Sequence, residues 1–200
     1  MDDLPAIWSV LSVLVVSILD SVAGDGFGNC PKLPYMPNFN VSRFAGHWYE
    51  VERAFYLMEL VSSCVTVDLH QNHKGQFTVN VNAKSIVSGS FSISQGLATP
   101  SKRDPSVLLY RVSSKLPRFL NRYLPGAGYY QVLQTDYTRY AIVYTCTDFH
   151  LFHMDLVWIW GRKKEINVEV RAKIYNILNG IGLDPERLTL PKNKNCTEDY

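Results

Sequence analysis

The chain has 200 residues, 46% hydrophobic and 19% charged, which is the composition of a folded globular domain and not of a disordered chain. That length fits one domain and lets roughly two thirds of the unfolded surface be buried, so no metal is needed to hold a core. A formal charge of +2 excludes the concentrated basic face that a nucleic-acid partner requires, and Arg162-Lys163-Lys164 reads as a solvated rim.

From Ala6 to Leu19 the chain is apolar except for Ser9, Ser12 and Ser17. This run is shorter than the roughly 20 residues of a membrane-spanning helix. Ser21-Val22-Ala23 then supplies small residues suited to signal peptidase. Residues 1–23 are therefore expected to be a signal peptide cleaved after Ala23, and 24–200 a single secreted, extracellular domain. Asp2 and Asp3 depart from the positive charge usual at such a start.

Three prolines between Cys30 and Pro37 forbid a continuous helix and predict an extended arm. Asn40 to Phe44 reads as a short helical turn. A strand is expected from Gly46 to Met58. Val65–His70 and Phe77–Asn82 alternate at period two around a polar turn, Gln71–Gly75. Further strands read as Ser90–Ser94, Val107–Val112, Tyr129–Gln134, Tyr140–Thr145 and Phe152–Trp160. Eight short strands without intervening helices predict an all-β, antiparallel, eight-stranded up-and-down barrel, which leaves room for one small ligand; a sandwich fits the pattern almost as well. One helix is expected outside the sheet from Glu165 to Asn179, with Val168, Ala172, Tyr175 and Leu178 or Asn179 at helical spacing and Gly180 ending it.

Cys30, Cys64, Cys146 and Cys196 lie far apart with no C-x-x-C pair, which predicts two structural disulfides in one of three connectivities. Asn40-Val41-Ser42 and Asn195-Cys196-Thr197 are candidate N-glycosylation sites.

Three segments now stand in a telling order: Gly46-His47-Trp48 within Phe44–Glu50, then Thr135-Asp136-Tyr137, then Arg162 just past Trp158-Ile159-Trp160. Together they resemble the lipocalin signature, G-x-W on the first strand, T-D-Y in a late turn and an arginine ending the last strand. Trp48–Glu52, Tyr140–Cys146 and Leu151–Ile159 are similar to the apolipoprotein D-like, insect bilin-binding and Lazarillo-like branch. The resemblance spans Cys30 to Cys196. It implies a barrel closed at one end by Trp48 with Arg162 on its indole, Asp136 holding nearby backbone, and disulfides Cys30–Cys146 and Cys64–Cys196. Gly46, Trp48, Thr135, Asp136, Tyr137 and Arg162 are thus expected to maintain the fold.

Strand alternation points Val65, Val67, Leu69, Phe77, Val79, Val81 and Ala83 inward, and Thr66, Asp68, His70, Thr78, Asn80 and Asn82 outward. The same rule gives Phe91, Ile93, Leu108, Tyr110, Val112, Tyr130, Val132, Leu156 and Trp158. From these the expected ligand-binding residues are Val67, Leu69, Phe77, Val79, Val81, Phe91, Ile93, Tyr110, Val112, Tyr130, Val132, Leu156 and Trp158. The expected function is a secreted carrier of a small hydrophobic ligand (lipid, sterol, retinoid, fatty acid or bilin), with no cofactor and no metal; a solidly packed core is the plainer alternative. Glu50 and Glu52 share parity with Trp48, so on a regular strand both approach the lower barrel interior; paired carboxylates could do acid–base work, and the expected reading is that they are satisfied by hydrogen bonds near the plug or turned out by a bulge. The loop Lys115–Pro125 mixes Phe119, Leu120, Tyr123 and Leu124 with basic residues; it suits a lid over the pocket or transient contact with a membrane, lipoprotein or receptor. A monomer or weak dimer is expected. With the cysteines oxidised, and His70, His73, His150 and His153 reading as solvated, no catalytic residue is expected. A signalling or stress-protection protein acting through a surface partner is the rival function, and a lipocalin-type enzyme the minor one.

Overall fold

The computed structural model describes residues 25–54, 62–115, 126–191, 193 and 196. The expected signal peptide, the end of the first long strand near Met58, the loop over 116–125 and the Asn195 site lie outside the described residues. Among the described residues, period-two alternation becomes eight long strands: β2 (Gly46–Ala54), β3 (Ser62–Gln71), β4 (Phe77–Ser85), β5 (Phe91–Pro100), β6 (Val107–Val112), β7 (Gly128–Thr135), β8 (Tyr140–Asp148) and β9 (Phe152–Gly161). Each pairs antiparallel with the next, and β9 pairs back onto β2. The sheet therefore closes into a barrel. Two short strands outside the expected set are added to it: β1 (Asp25–Phe27) beside the upper part of β9 and β10 (Leu188–Thr189) beside the upper part of β2.

The lower end is shut by α1 (Val41–Phe44), whose exposed backbone is capped when Asn40 Oδ1 accepts from the Arg43 N–H at 3.0 Å. Phe44 and Trp48 are completely buried there, with ring centroids 5.3 Å apart. The Arg162 guanidinium lies over the Trp48 indole, 3.6 Å from its centroid. Its N–H groups donate to His47 O and Ala45 O at 2.8 Å each and to Tyr137 O at 3.0 Å. One planar cation thus ties α1, β2 and the β7–β8 turn together. Gly46 makes room for it: its φ is +104°, and a Cβ there would lie 3.0 Å from Arg162 Nη1.

The β7–β8 turn is organised by Asp136, whose Oδ1 accepts from the N–H groups of Thr138, Arg139 and Tyr140 at 3.1, 2.8 and 3.2 Å. Thr135 Oγ1 donates to Tyr140 O at 2.6 Å and accepts from the Tyr137 N–H at 2.9 Å, while the Tyr137 hydroxyl accepts from the Asn40 N–H at 2.9 Å. Burial by itself raises the Asp136 pKa, but the backbone and guanidinium hydrogen bonds of Arg139, with those of Tyr140 and Thr138, outweigh it and hold the carboxyl below its ordinary value.

Helix α2 (Val168–Gly180) packs outside the barrel, capped by Asn167 accepting from the Val170 N–H at 2.9 Å. It buries Val170, Ile174 and Leu178 against Ile142, Tyr144, Val157 and Ile159 on the outer face of β8 and β9. This corrects the expected phase: Val168 is 77% exposed and Ala172 is exposed. The i, i+4, i+8 set that faces the sheet is more strongly apolar than Val168 and Ala172. The terminator also shifts, since Gly180 is still helical and Gly182 takes the left-handed conformation at φ +79°. The disulfides are Cys30–Cys146, tying the proline-rich arm to β8, and Cys64–Cys196, tying the C-terminal tail to β3.

Two outcomes follow from these restraints. Replacing Cys64 and Cys196 by Ser releases a long loop and lowers unfolding free energy by roughly 2–4 kcal/mol in denaturant titration; an unchanged midpoint contradicts the tether. Because the folded Asp136 pKa lies below the unfolded one, its contribution is present above the unfolded carboxyl pKa of about 4 and is lost as pH falls through the folded value. Asp136→Asn should therefore flatten the acid side of a thermal-midpoint-versus-pH curve, and an identical acid limb in wild type and variant contradicts this role.

Candidate functional site

Above the Trp48 layer the barrel encloses a cavity of about 170 Å³. Its floor includes Phe44, and its walls are Glu50 on β2, Val65, Val67 and Leu69 on β3, Val79 and Val81 on β4, Ala98 on β5, Leu108 and Tyr110 on β6, Tyr130 and Val132 on β7, Val143 on β8 and Trp158 and Trp160 on β9. The strand register produces this directly. Val67 lies opposite Val81, Leu69 opposite Val79, Leu108 opposite Tyr130, and Val132 opposite Val143, which in turn faces Trp158. Residues directly across a ladder share a face, so one inward residue on each strand sets the rest.

Eight of the expected ligand-binding residues come together here, Val67, Leu69, Val79, Val81, Tyr110, Tyr130, Val132 and Trp158, joined by Val65 and Leu108, which alternation also points inward. Phe77 is completely buried but belongs to the floor packing, with its ring 6.3 Å from Phe44. Val112 lies opposite Gly96 and Leu156 two residues before Trp158 on β9; neither is among the lining residues. Phe91 and Ile93 are a correction. They stand opposite Lys84 and Asn82 on the outer face and are 47% and 63% exposed, with the Lys84 ammonium 5.4 Å over the Phe91 ring. Ser92 and Ser94 take the inward positions, opposite Ala83 and Val81. The reason is that β6 ends at Val112 opposite Gly96, so the upper part of β5 has no wall beside it to bury an apolar face.

Sequence reasoning missed Phe44, Ala98, Val143 and Trp160, whereas the parity of Glu50 with Trp48 did place it toward the interior. On β8 the five residues Tyr140 to Tyr144 are all buried, because α2 covers the outer face while the cavity takes the inner one, and alternation carries no signal when both faces are dry. Continuing the β5 alternation past Ser94 was the signal available for Ala98.

The two acidic residues of β2 are separated by an irregularity. Opposite β9, Glu50 faces Trp160 while Glu52 faces Ile159, with Val51 as the extra residue between them. Glu50 therefore stays inside, where Arg53 Nη1 donates to Oε1 at 2.5 Å and both side chains are 6% exposed. Glu52 turns to the outer face and binds α2, accepting from Arg171 Nε at 2.5 Å and from the Tyr175 hydroxyl at 2.7 Å. Burial and the adjacent Glu52 carboxylate push the Tyr175 phenol up to about 12. With the sheet between them, the two carboxylates do not form an acid–base pair.

The polar groups on the far wall also differ from one another. Tyr130 donates its hydroxyl to Gly126 O at 2.7 Å. The Tyr110 hydroxyl is buried and has no hydrogen-bond partner among the described residues. Burial raises its pKa, and the nearby Ser94 side chain pulls the other way without forming a bond of acceptable geometry. The Tyr110 ring owes its place to Gly96, since a Cβ there would come within 2.3 Å of it. Tyr110, Tyr130 and Trp158 form a run of ring contacts at 6.1 and 5.8 Å.

Comparison with known proteins agrees with this architecture. The family model described as Lipocalin / cytosolic fatty-acid binding protein family matches residues 118–195. Apolipoprotein D of Bos taurus is 31% identical over 188 residues, which span 92% of this chain and 94% of that protein. Bilin-binding protein of Pieris brassicae is 25% identical over 177 residues, 86% of each chain. The structure of insecticyanin from Manduca sexta superimposes with a TM-score of 0.69 at 20% identity, covering 86% of this chain and 90% of its own. The near-full-length match to apolipoprotein D, on a closed eight-stranded barrel with an arginine laid over the tryptophan of its floor, shows that the chain belongs to the lipocalin family.

Proposed function

We propose that this protein is a secreted, non-catalytic carrier that holds one small lipophilic molecule in the cavity above Trp48. The observation that carries this reading is the apolar sleeve, closed below by Trp48 and Arg162 and walled by aliphatic residues with Tyr110, Tyr130 and Trp158. Burying ligand surface there contributes about 25 cal/mol per Å², offset by the freedom the ligand loses. A bilin-binding relative supports cargo of lipophilic character. The volume of about 170 Å³ narrows the choice, because drug-sized sites run to roughly 300–1,000 Å³. Slim molecules fit the space among the described residues better than a tetrapyrrole or a sterol does.

The described lining offers one carboxylate and two phenols but no thiol, serine or histidine, and the four cysteines are consumed in disulfides, which supports binding over catalysis. Those disulfides and the apolar run Ala6–Leu19 support an extracellular site of action, with Asn40, exposed at the start of α1, as a proposed glycosylation position. At the upper end, Phe27 is 94% and Leu151 80% exposed, on β1 and on the β8–β9 connection. This supports a second reading, transient contact of the barrel mouth with a membrane, lipoprotein or receptor.

Organic-solvent extraction of the secreted protein followed by mass spectrometry should release a small lipophile, and no extractable molecule would count against the carrier. Trp158→Ala should weaken binding by about tenfold or more through lost ring contact while leaving the fold intact. Trp48→Ala should instead cost about 3–5 kcal/mol of stability, read by chemical denaturation. A Trp158→Ala protein that binds as wild type contradicts the internal site.

A further inference from the structure

We infer that the cavity selects neutral lipophiles bearing a carbonyl or hydroxyl oxygen over anionic lipids such as fatty-acid carboxylates, because a buried carboxylate and an unsatisfied phenol hydroxyl stand on opposite walls of its apolar sleeve. This deepens the carrier reading and rests on it. Strand β6 is four steps from β2 in either direction around the eight-stranded barrel, so Glu50 and Tyr110 line opposing walls.

Glu50 is the only charged residue among the described lining residues. Its cationic neighbour Arg53 is itself committed, with Nη1 on the Glu50 carboxylate and Nη2 on Ser62 O at 3.2 Å. A ligand carboxylate would therefore enter an apolar space where the only charged lining residue among the described ones is itself a carboxylate, already closed in an ion pair with Arg53. The anion would shed its water there without gaining a cation, and the Glu50 carboxylate adds a repulsion that the Arg53 pair offsets only in part. A hydroxyl on the ligand can instead donate toward the Glu50 side, and a ligand oxygen of either kind can accept from Tyr110.

Tyr110 points to the same class. Its hydroxyl is buried without a partner, and an unmade hydrogen bond of this kind carries a standing cost that a ligand acceptor removes. Tyr130, one strand away, is already spent on Gly126 O. The protein thus supplies a donor at one wall and an acceptor at the other, within a sleeve that is otherwise aliphatic and aromatic. Slim chain length follows from the cavity volume, and the polarity of the end group follows from these two residues.

The test is a matched series on the full secreted protein at pH 7.5: dodecan-1-ol, dodecan-2-one, dodecanoate and dodecane, followed by quenching of tryptophan fluorescence. The alcohol and the ketone should bind about tenfold or more tighter than dodecanoate. Tyr110→Phe, which removes only the hydroxyl, should weaken the ketone about fivefold and leave dodecane unchanged. Glu50→Gln should narrow the gap between alcohol and acid; if that variant does not fold, the wild-type series and Tyr110→Phe decide. Dodecanoate binding as tightly as the alcohol, with dodecane also bound, overturns the selectivity and leaves the carrier standing. Failure of all four probes overturns the carrier reading itself, and the selectivity with it.

Discussion

The contact on which the rest of the structure depends is the Arg162 guanidinium lying 3.6 Å from the centre of the Trp48 indole. A half-buried cation is tolerable only when its donors are satisfied, and here the carbonyls of His47, Ala45 and Tyr137 take them while the ring faces its plane. Burial lowers the pKa of Arg162, but a guanidinium starts so high that the charge persists. The result is a rigid floor. A barrel sealed below has its cavity above that floor, with Phe44 and Trp160 forming the lower boundary.

The second constraint is the extra residue at Val51. A regular strand would have pointed Glu50 and Glu52 into the same space and placed two carboxylates in a small apolar volume. The register shift opposite β9 assigns one to each face. Glu50 lines the cavity beside Arg53, while Glu52 anchors α2 through Arg171 and Tyr175. One irregularity therefore joins the interior chemistry to the docking of the outer helix. The helix in turn keeps β8 and β9 dry on their outer faces, burying Ile142, Tyr144, Val157 and Ile159.

Legibility in the sequence followed the number of dry faces. β3 and β4 each have one, so Val67, Leu69, Val79 and Val81 were readable from alternation alone. β8 has two, and Val143 was invisible to the same rule; Trp160 on β9 shares the parity of Trp158 and needed only one further step of the alternation. The upper part of β5 has neither, because β6 stops at Val112, and so alternation placed Phe91 and Ile93 on the wrong side. The Gly46, Trp48, Asp136 and Arg162 cluster was legible as a motif, whereas its closure of the barrel depends on contacts more than a hundred residues apart, such as Arg162 to His47. The unsatisfied Tyr110 hydroxyl was beyond any pattern, since it depends on the bare backbone of Gly96 and on which neighbour Tyr130 chooses.

A carrier of this design acts by solvation: it offers a lipophile an apolar interior, at a free-energy gain set by buried area and end-group complementarity. The most direct measurement is a nuclear Overhauser experiment with an isotope-labelled slim ligand, such as dodecan-1-ol, bound to the protein. Cross-peaks from the ligand chain to the methyls of Val67, Val79 and Val132 and to the Trp158 ring place it inside the barrel, as expected for an internal site. Cross-peaks confined to outward side chains of the upper end, such as Phe27 and Leu151, would contradict it.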